Sequence, residues 1–165
     1  MLPGNFAENF IQKNFAMFQQ LIQTNNEWPG LIARVVLGLV ILPHGAQHLL
    51  GWFGGFGYTG TMQYFTETRH LPWIISFLVI MIEFFGSLGL IAGIGSRLLA
   101  FAMIVLMLGI IFSTHWQHGF FMDWYGQNPE PYYEGYEYHL LAIGLALVVL
   151  VTGGGKWSAD SLLNG

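Results

Sequence analysis

Three long apolar runs and a shorter fourth carry this chain, and the ionisable residues within or beside them gather toward one end of the set. The runs cover about 30–50, 72–93, 97–114 and 137–151. The ionisable residues are His44, His48, Glu83, His115, His118, Glu137 and His139. A helix that crosses a bilayer needs ~20 mostly apolar residues. Each charge-capable side chain placed in hydrocarbon costs a few kcal/mol on insertion scales. Lipid is therefore the solvent this pattern fits, and the cluster of costly groups is where chemistry is expected. Composition agrees: 8% of residues are charged and 54% hydrophobic, against about 25% charged in a soluble domain. Mean hydropathy is +0.53. A net charge of −4 from five basic and nine acidic residues is no argument for nucleic acid or for an acidic ligand. The chain has no cysteine, which excludes disulfides, thiolate metal sites, iron–sulfur clusters and thiol redox chemistry of its own.

The length suits one bundle and leaves no room for a second domain of ordinary size. The sequence divides into an amphipathic segment, 1–29, a membrane domain, 30–160, and a tail, 161–165. The first thirty residues lack the basic start, apolar core and small-residue cleavage site of a signal peptide. They carry Phe6, Phe10, Ile11, Phe18, Leu21 and Ile22 among polar residues. That spacing predicts an amphipathic helix over about 5–23, lying on the membrane surface or packed on the bundle. Pro29 suits the opening of the first span. The glycines of GWFGGFGYTGT forbid a continuous helix after it. GIGSR is long enough only for a tight turn, so spans two and three are antiparallel neighbours. The fourth run is short for a crossing. Its helix is expected to reach back into the preceding Tyr/Glu stretch, or to sit where the bilayer is thinned. The expected fold is an all-α integral membrane four-helix bundle with an N-terminal interfacial helix.

Four crossings place both termini on one side. Lys13, Arg34, Arg97 and Lys156 lie on that side and Arg69 on the other. Positive charge accumulates in the cytoplasm, so both termini are expected inside. Trp52, Trp73, Trp116 and Trp124, with Tyr132, Tyr133, Tyr136 and Tyr138, then fall on the outer side and read as an interfacial aromatic belt.

Helix rise sets the heights. His44 and His48 share a face near the outer end of span one. Glu83 lies about ten residues into span two, so roughly 15 Å deep. Span three ends at His115, with His118 a turn further on. Span four opens with Glu134, Glu137 and His139. Glu83 is the leading functional candidate, followed by His44, His115 and Glu137. His48 and His118 lie nearer water, and His139 points about 100° away from Glu137 on a helix, toward headgroups or another neighbour.

Three uses of such a cluster compete. Imidazoles with carboxylates suit a transition metal or haem, with His44, His48, His115 and His118 as the candidate ligands. Against it, the spans lack the Glu-x-x-His pairs of di-iron bundles. Buried carboxyl and imidazole groups also handle the protons of a two-electron quinone reaction. Finally, a buried Glu paired with a His, or with Arg34 or Arg69, simply locks helices together. Gly86, Gly89 and Gly93 run along one side of span two, where small residues let helices approach. Gly54, Gly55 and Gly57 lack the strand and lysine of a phosphate loop, which argues against nucleotide binding.

HGAQHLLGWFGGFGYTGT after the first span, IEFFGSLGLIAGIGSR ending the second, HGFFMDW, EGYEYHLL and the closing GGGKWSAD together resemble the DoxX family of small bacterial membrane proteins. The resemblance runs from about 31 to 160. It implies a four-helix membrane bundle similar to DoxD, the large membrane subunit of thiosulfate:quinone oxidoreductase, and hence a redox role at the quinone pool. By position it points to His44, Gln47, Glu83, His115 and Glu137. Where the family pattern has Lys or Arg after the glutamine, this chain has His48.

The expectation is thus a bacterial inner-membrane redox subunit. Glu83, His115 and Glu137 are its candidate catalytic groups, and His44, Gln47 and Trp52 its candidate contacts to a quinone. A non-catalytic scaffold of a larger membrane complex, and a haem or metal carrier, are the alternatives. The expected partners are the lipid bilayer and other redox or membrane-complex subunits, not nucleic acid.

Overall fold

The computed structural model describes residues 6–123 and 134–163. Trp124, Tyr132 and Tyr133 lie outside them. Among the described residues there is no strand; the elements are helices and short turns. The main ones are α1 Phe6–Ile22, α2 Trp28–Leu50, α3 Gly57–Gln63, α4 Trp73–Met81, α5 Ser87–Ala92, α6 Ser96–Ile110, α7 Glu137–Thr152 and α8 Ala159–Leu163. α4 and α5 are joined by a π turn, Ile82–Gly86, into one helix, Trp73–Ala92. A second π turn, Ile111–His115, extends α6, so that its helix runs Ser96–His118. Among the described residues three helices are long and apolar enough to cross a membrane: Trp28–Leu50, Trp73–Ala92 and Ser96–His118. α7 is apolar and shorter.

Sequence limits fall close to the expected ones, for physical reasons. Pro29 occupies the first turn of α2, and Gly51, in the left-handed conformation, ends it, as the capping rules require. Pro43 sits inside α2 without ending it. In water such a proline would break the helix. In a lipid-facing chain neighbouring helices supply the compensation. The two turns after Pro43 therefore stay helical and carry His44, Gln47 and His48.

The core forms where four helices meet. Ala33, Leu37 and Ile41 of α2, Leu90 of α5, Met103, Leu106 and Met107 of α6, and Ala142, Ala146 and Val149 of α7 bury one another. Outside them lies a belt of exposed apolar side chains, among them Ile32, Leu39, Phe85, Phe101, Val105, Phe112 and Leu141. A soluble monomer rarely exposes so continuous an apolar surface. The arrangement suits a solvent as apolar as the side chains.

α7 runs antiparallel to α6. At its start His139 lies beside His115, with ring centroids 4.5 Å apart. At its end the Leu150 carbonyl accepts from Arg97 at the start of α6, at 2.5 Å. Gly86 and Gly89 of span two act as small packing residues toward span three, where a Cβ on Gly86 would lie 3.3 Å from Met103 Cε, whereas Gly93 ends the helix in the left-handed conformation against Ser158. The tightest approach between spans one and two comes from span one, at Gly38 and Gly45. α1 touches α6 and α8 and leaves Phe10, Ile11, Phe15 and Met17 exposed.

Candidate functional site

Glu83 lies on the π turn that joins α4 to α5 and is 4% exposed. A π turn carries one residue more than the α-helical repeat and re-aims the side chains around it. Gly45 of α2 packs directly on this turn. A Cβ there would stand 2.5 Å from the Phe84 nitrogen, so only glycine allows the approach. His48 follows Gly45 by three residues and lies on the same face of α2. Its Nδ1 meets Glu83 Oε2 at 2.5 Å. The His48 side chain is 28% exposed and that of Glu83 6%, so the pair reaches from the interior to the edge of the bundle. An imidazolium donating to a carboxylate and a carboxylic acid donating to a neutral ring differ only in where a proton sits.

The second half of the cluster is built from α6, α7 and the loop between them. His115 ends the other π turn, and its Nδ1 meets the Glu134 carbonyl at 2.6 Å. As the carbonyl can only accept, Nδ1 carries the hydrogen there. His139 is 7% exposed and lies against His115. Tyr138 is 5.5 Å from His139 and 6.3 Å from His44 by ring centroids. Tyr138 is within electrostatic reach of Glu83, and His139 of both His115 and His44. The Tyr138 hydroxyl and His139 Nδ1 are buried with no hydrogen-bond partner among the described residues. Most buried polar groups in proteins do have a partner, protein or water.

The other anticipated residues occupy more ordinary places. His44 is exposed on the outside of α2. Gln47 Nε2 donates to the Phe53 carbonyl at 3.3 Å and braces the loop after α2. Trp52 is 59% exposed, its ring edge against Phe53. Glu137 Oε1 accepts from the Met122 amide at 3.0 Å, and the Glu137 amide donates to the Phe120 carbonyl. Together these bonds tie the start of α7 to the loop after α6. His118 is half-buried, its ring 6.3 Å from that of His115. Neither arginine reaches Glu83. Arg34 bonds backbone carbonyls at the opposite end of the bundle, and Arg69 bonds Ser113 and Thr114. Among the described residues no three His, Asp or Glu side chains are arranged to share one metal ion. A shallow groove of about 300 Å³ beside α3 is lined by Phe56, Gly60, Gln63, Tyr64, Glu67 and Thr68, apart from the polar cluster.

Two members of the cluster were not anticipated in their roles. Tyr138 was placed in the aromatic belt, and its hydroxyl instead turns inward. His139 was aimed toward headgroups or another neighbour and is buried. The signal was available: His139, Ala142, Ala146 and Val149 recur at helical spacing, and all are buried. The two small residues mark the inward face of α7, which puts His139 on it.

The family profile of DoxX matches residues 30–116. The chain is 29% identical over 136 residues to the inner membrane protein YqjF of Escherichia coli (strain K12), covering 81% of this chain and 91% of that protein. No solved structure matches.

Proposed function

This chain belongs to the DoxX family, and from that premise we propose that it is a membrane redox subunit linked to the quinone pool, with Glu83 as its proton-handling group. The observation that carries the reading is the buried Glu83 carboxyl on a π turn, bonded to His48 and reaching the bundle edge. Leaving a carboxyl at that depth is costly unless it is paired or protonated. A carboxyl–imidazole pair can hold a proton and pass it on. A quinone bound here would supply the two-electron acceptor, becoming quinol with two electrons and two protons. A reductant or a partner enzyme of the same membrane delivers the electrons.

The chain's own residues then have distinct tasks. Glu83 and His48 hold the proton. His115 connects them to the outer end, and Glu137 fixes the loop above. His44, exposed on α2 and facing Tyr138, meets a flat ring arriving from the lipid, with Gln47 Oε1 and Trp52 beside it. The topology is four crossings, with α7 the fourth and shortest and both termini cytoplasmic. α1 lies in the membrane interface on its exposed Phe10, Ile11 and Phe15. As in the relative from Escherichia coli, the membrane is the inner one.

The test is the redox state of the extracted quinone pool in host membranes carrying the chain or Glu83→Gln at equal levels. The wild type is expected to shift the pool toward quinol, and Glu83→Gln to abolish the shift. An equal shift with both would overturn the reading. A second reading follows from the same ion pair, which also ties α2 to the helix Trp73–Ala92: a scaffold for partner subunits. It predicts that Glu83→Gln weakens the assembly and that the wild type leaves the pool unchanged.

A further inference from the structure

The cluster has two halves, Glu83 with His48 and His115 with His139, and no direct hydrogen bond between them is seen. Tyr138 stands between. Its ring lies 6.3 Å from that of His44 and 5.5 Å from that of His139, within electrostatic reach of Glu83. Its hydroxyl is buried without a protein partner, and so is His139 Nδ1 on the next residue. Both groups donate or accept. Buried polar atoms left unpartnered on neighbouring residues are a common place for internal water, which makes two to four bonds to such atoms.

We propose that Tyr138 and His139, bridged by internal water, form a hydrogen-bonded relay that joins Glu83 to His115 and so to the outer end of the bundle. In one passage the Tyr138 hydroxyl gives its proton to one neighbour and takes one from the other, so the phenol is unchanged. His139 does the same between its two ring nitrogens. Each proton that leaves Glu83 reaches the His115 end, and the reverse path reprotonates it. The π turns under Glu83 and His115 place the two ends of the relay on facing helices. The relay rests on Glu83 as a proton-handling group, part of the reading above. Its test reads ring titration rather than turnover, so failure of one is distinguishable from failure of the other.

The groups that face the relay are His44 and His48 from α2, Glu83 from the α4–α5 helix, and His115 and His118 from α6. Glu134, before α7, lies near it through the carbonyl that accepts from His115, Glu137 opens α7 and bonds the Met122 amide, and Arg69 lies beside the end of α6. The experiment follows the ring nitrogens of isotope-labelled histidines by NMR, in the full chain in lipid nanodiscs, through a pH titration. With Tyr138 present, Glu83→Gln is expected to shift the His139 or His115 midpoint by about half a pH unit or more, as coupled sites do. In Tyr138→Phe, which removes only the hydroxyl, the same substitution is expected to shift them by less than half as much. Magnetisation transfer from water to the His139 ring is expected in the wild type and lost in Tyr138→Phe. Equal coupling with and without the hydroxyl, or no transfer from water in the wild type, would overturn the relay. Should Tyr138→Phe fail to insert, 3-fluorotyrosine at position 138 keeps the fold and makes the phenol a stronger donor. Coupling is then expected to grow, and unchanged coupling would overturn the proposal equally.

Discussion

The two ends of this bundle both bury ionisable groups, and they treat them in opposite ways. At the terminus end Arg34 is 2% exposed, and its nitrogens donate to the carbonyls of Gly154, Leu90, Ile91 and Lys156. Asp160 is 3% exposed, and its carboxylate accepts the Gly95 and Ser96 amides at 2.7 and 2.8 Å. It caps the positive end of α6. Gly93 and Gly95, at φ +73° and +60°, make the turn that presents these groups. The charged groups there spend their bonds on backbone, stitching α2, α5, α6 and the chain after α7 into one knot. The Ser96 hydroxyl alone is left over among them. At the histidine end Glu83 bonds a titratable partner, two π turns interrupt regular helices, and a phenol and an imidazole are left without protein partners. Burial alone does not mark a functional charge. What separates the ends is whether the group's bonds go to fixed backbone or to groups that can exchange a proton.

The contrast breaks most readily at the knot. Arg34→Met removes the donor shared by four backbone carbonyls and the buried charge beside Asp160, so a loss of about 3–5 kcal/mol is expected. Detergent unfolding and membrane level measure it; wild-type stability in this variant would show that the knot is ornamental. Gly45→Ala drives a methyl into the Phe84 backbone, and overpacking of this kind costs ~1–3 kcal/mol. It is also expected to lengthen the His48–Glu83 contact, so that activity falls along with stability. Asp160→Asn keeps the shape of the cap and loses its charge. An unfolding midpoint lower by about 1 kcal/mol is expected, with no change at the histidine end. The smallest effect is expected from His118→Gln, half-buried near the loop, at less than ~0.5 kcal/mol; a large loss of activity there would extend the cluster outward.

Much of this was legible in the sequence because lipid allows few solutions. Apolar runs of the right length gave the helices, and glycine and proline placed their ends. Parity with helix rise collected His44, His115 and Glu137 near one end, with Glu83 the deepest of the set. What rise alone leaves open is azimuth. His48, rather than His44, reaches Glu83 because Gly45 and the π turn bring α2 against it. An i→i+5 turn has no reliable signature in composition, so neither the turn nor its consequence was foreseen. Arg34 read as one more positive charge near the cytoplasm, although GGGKWSAD holds the glycine carbonyl and carboxylate that surround it. The pair Trp28 and Trp157 at the terminus end, their rings 5.4 Å apart with Lys156 over Trp28, was likewise hidden. The contact joins residues more than a hundred positions apart.

The most direct measurement pairs detergent unfolding with the redox state of the quinone pool for the single variant Glu83→Gln. The account predicts an unfolding free energy within about 1 kcal/mol of wild type, since the amide keeps a bond to His48. It predicts a quinone-linked rate lower by ~100-fold or more, as expected on losing a positioned proton carrier. A variant that unfolds as readily as Arg34→Met, or one that turns over like the wild type, would contradict it.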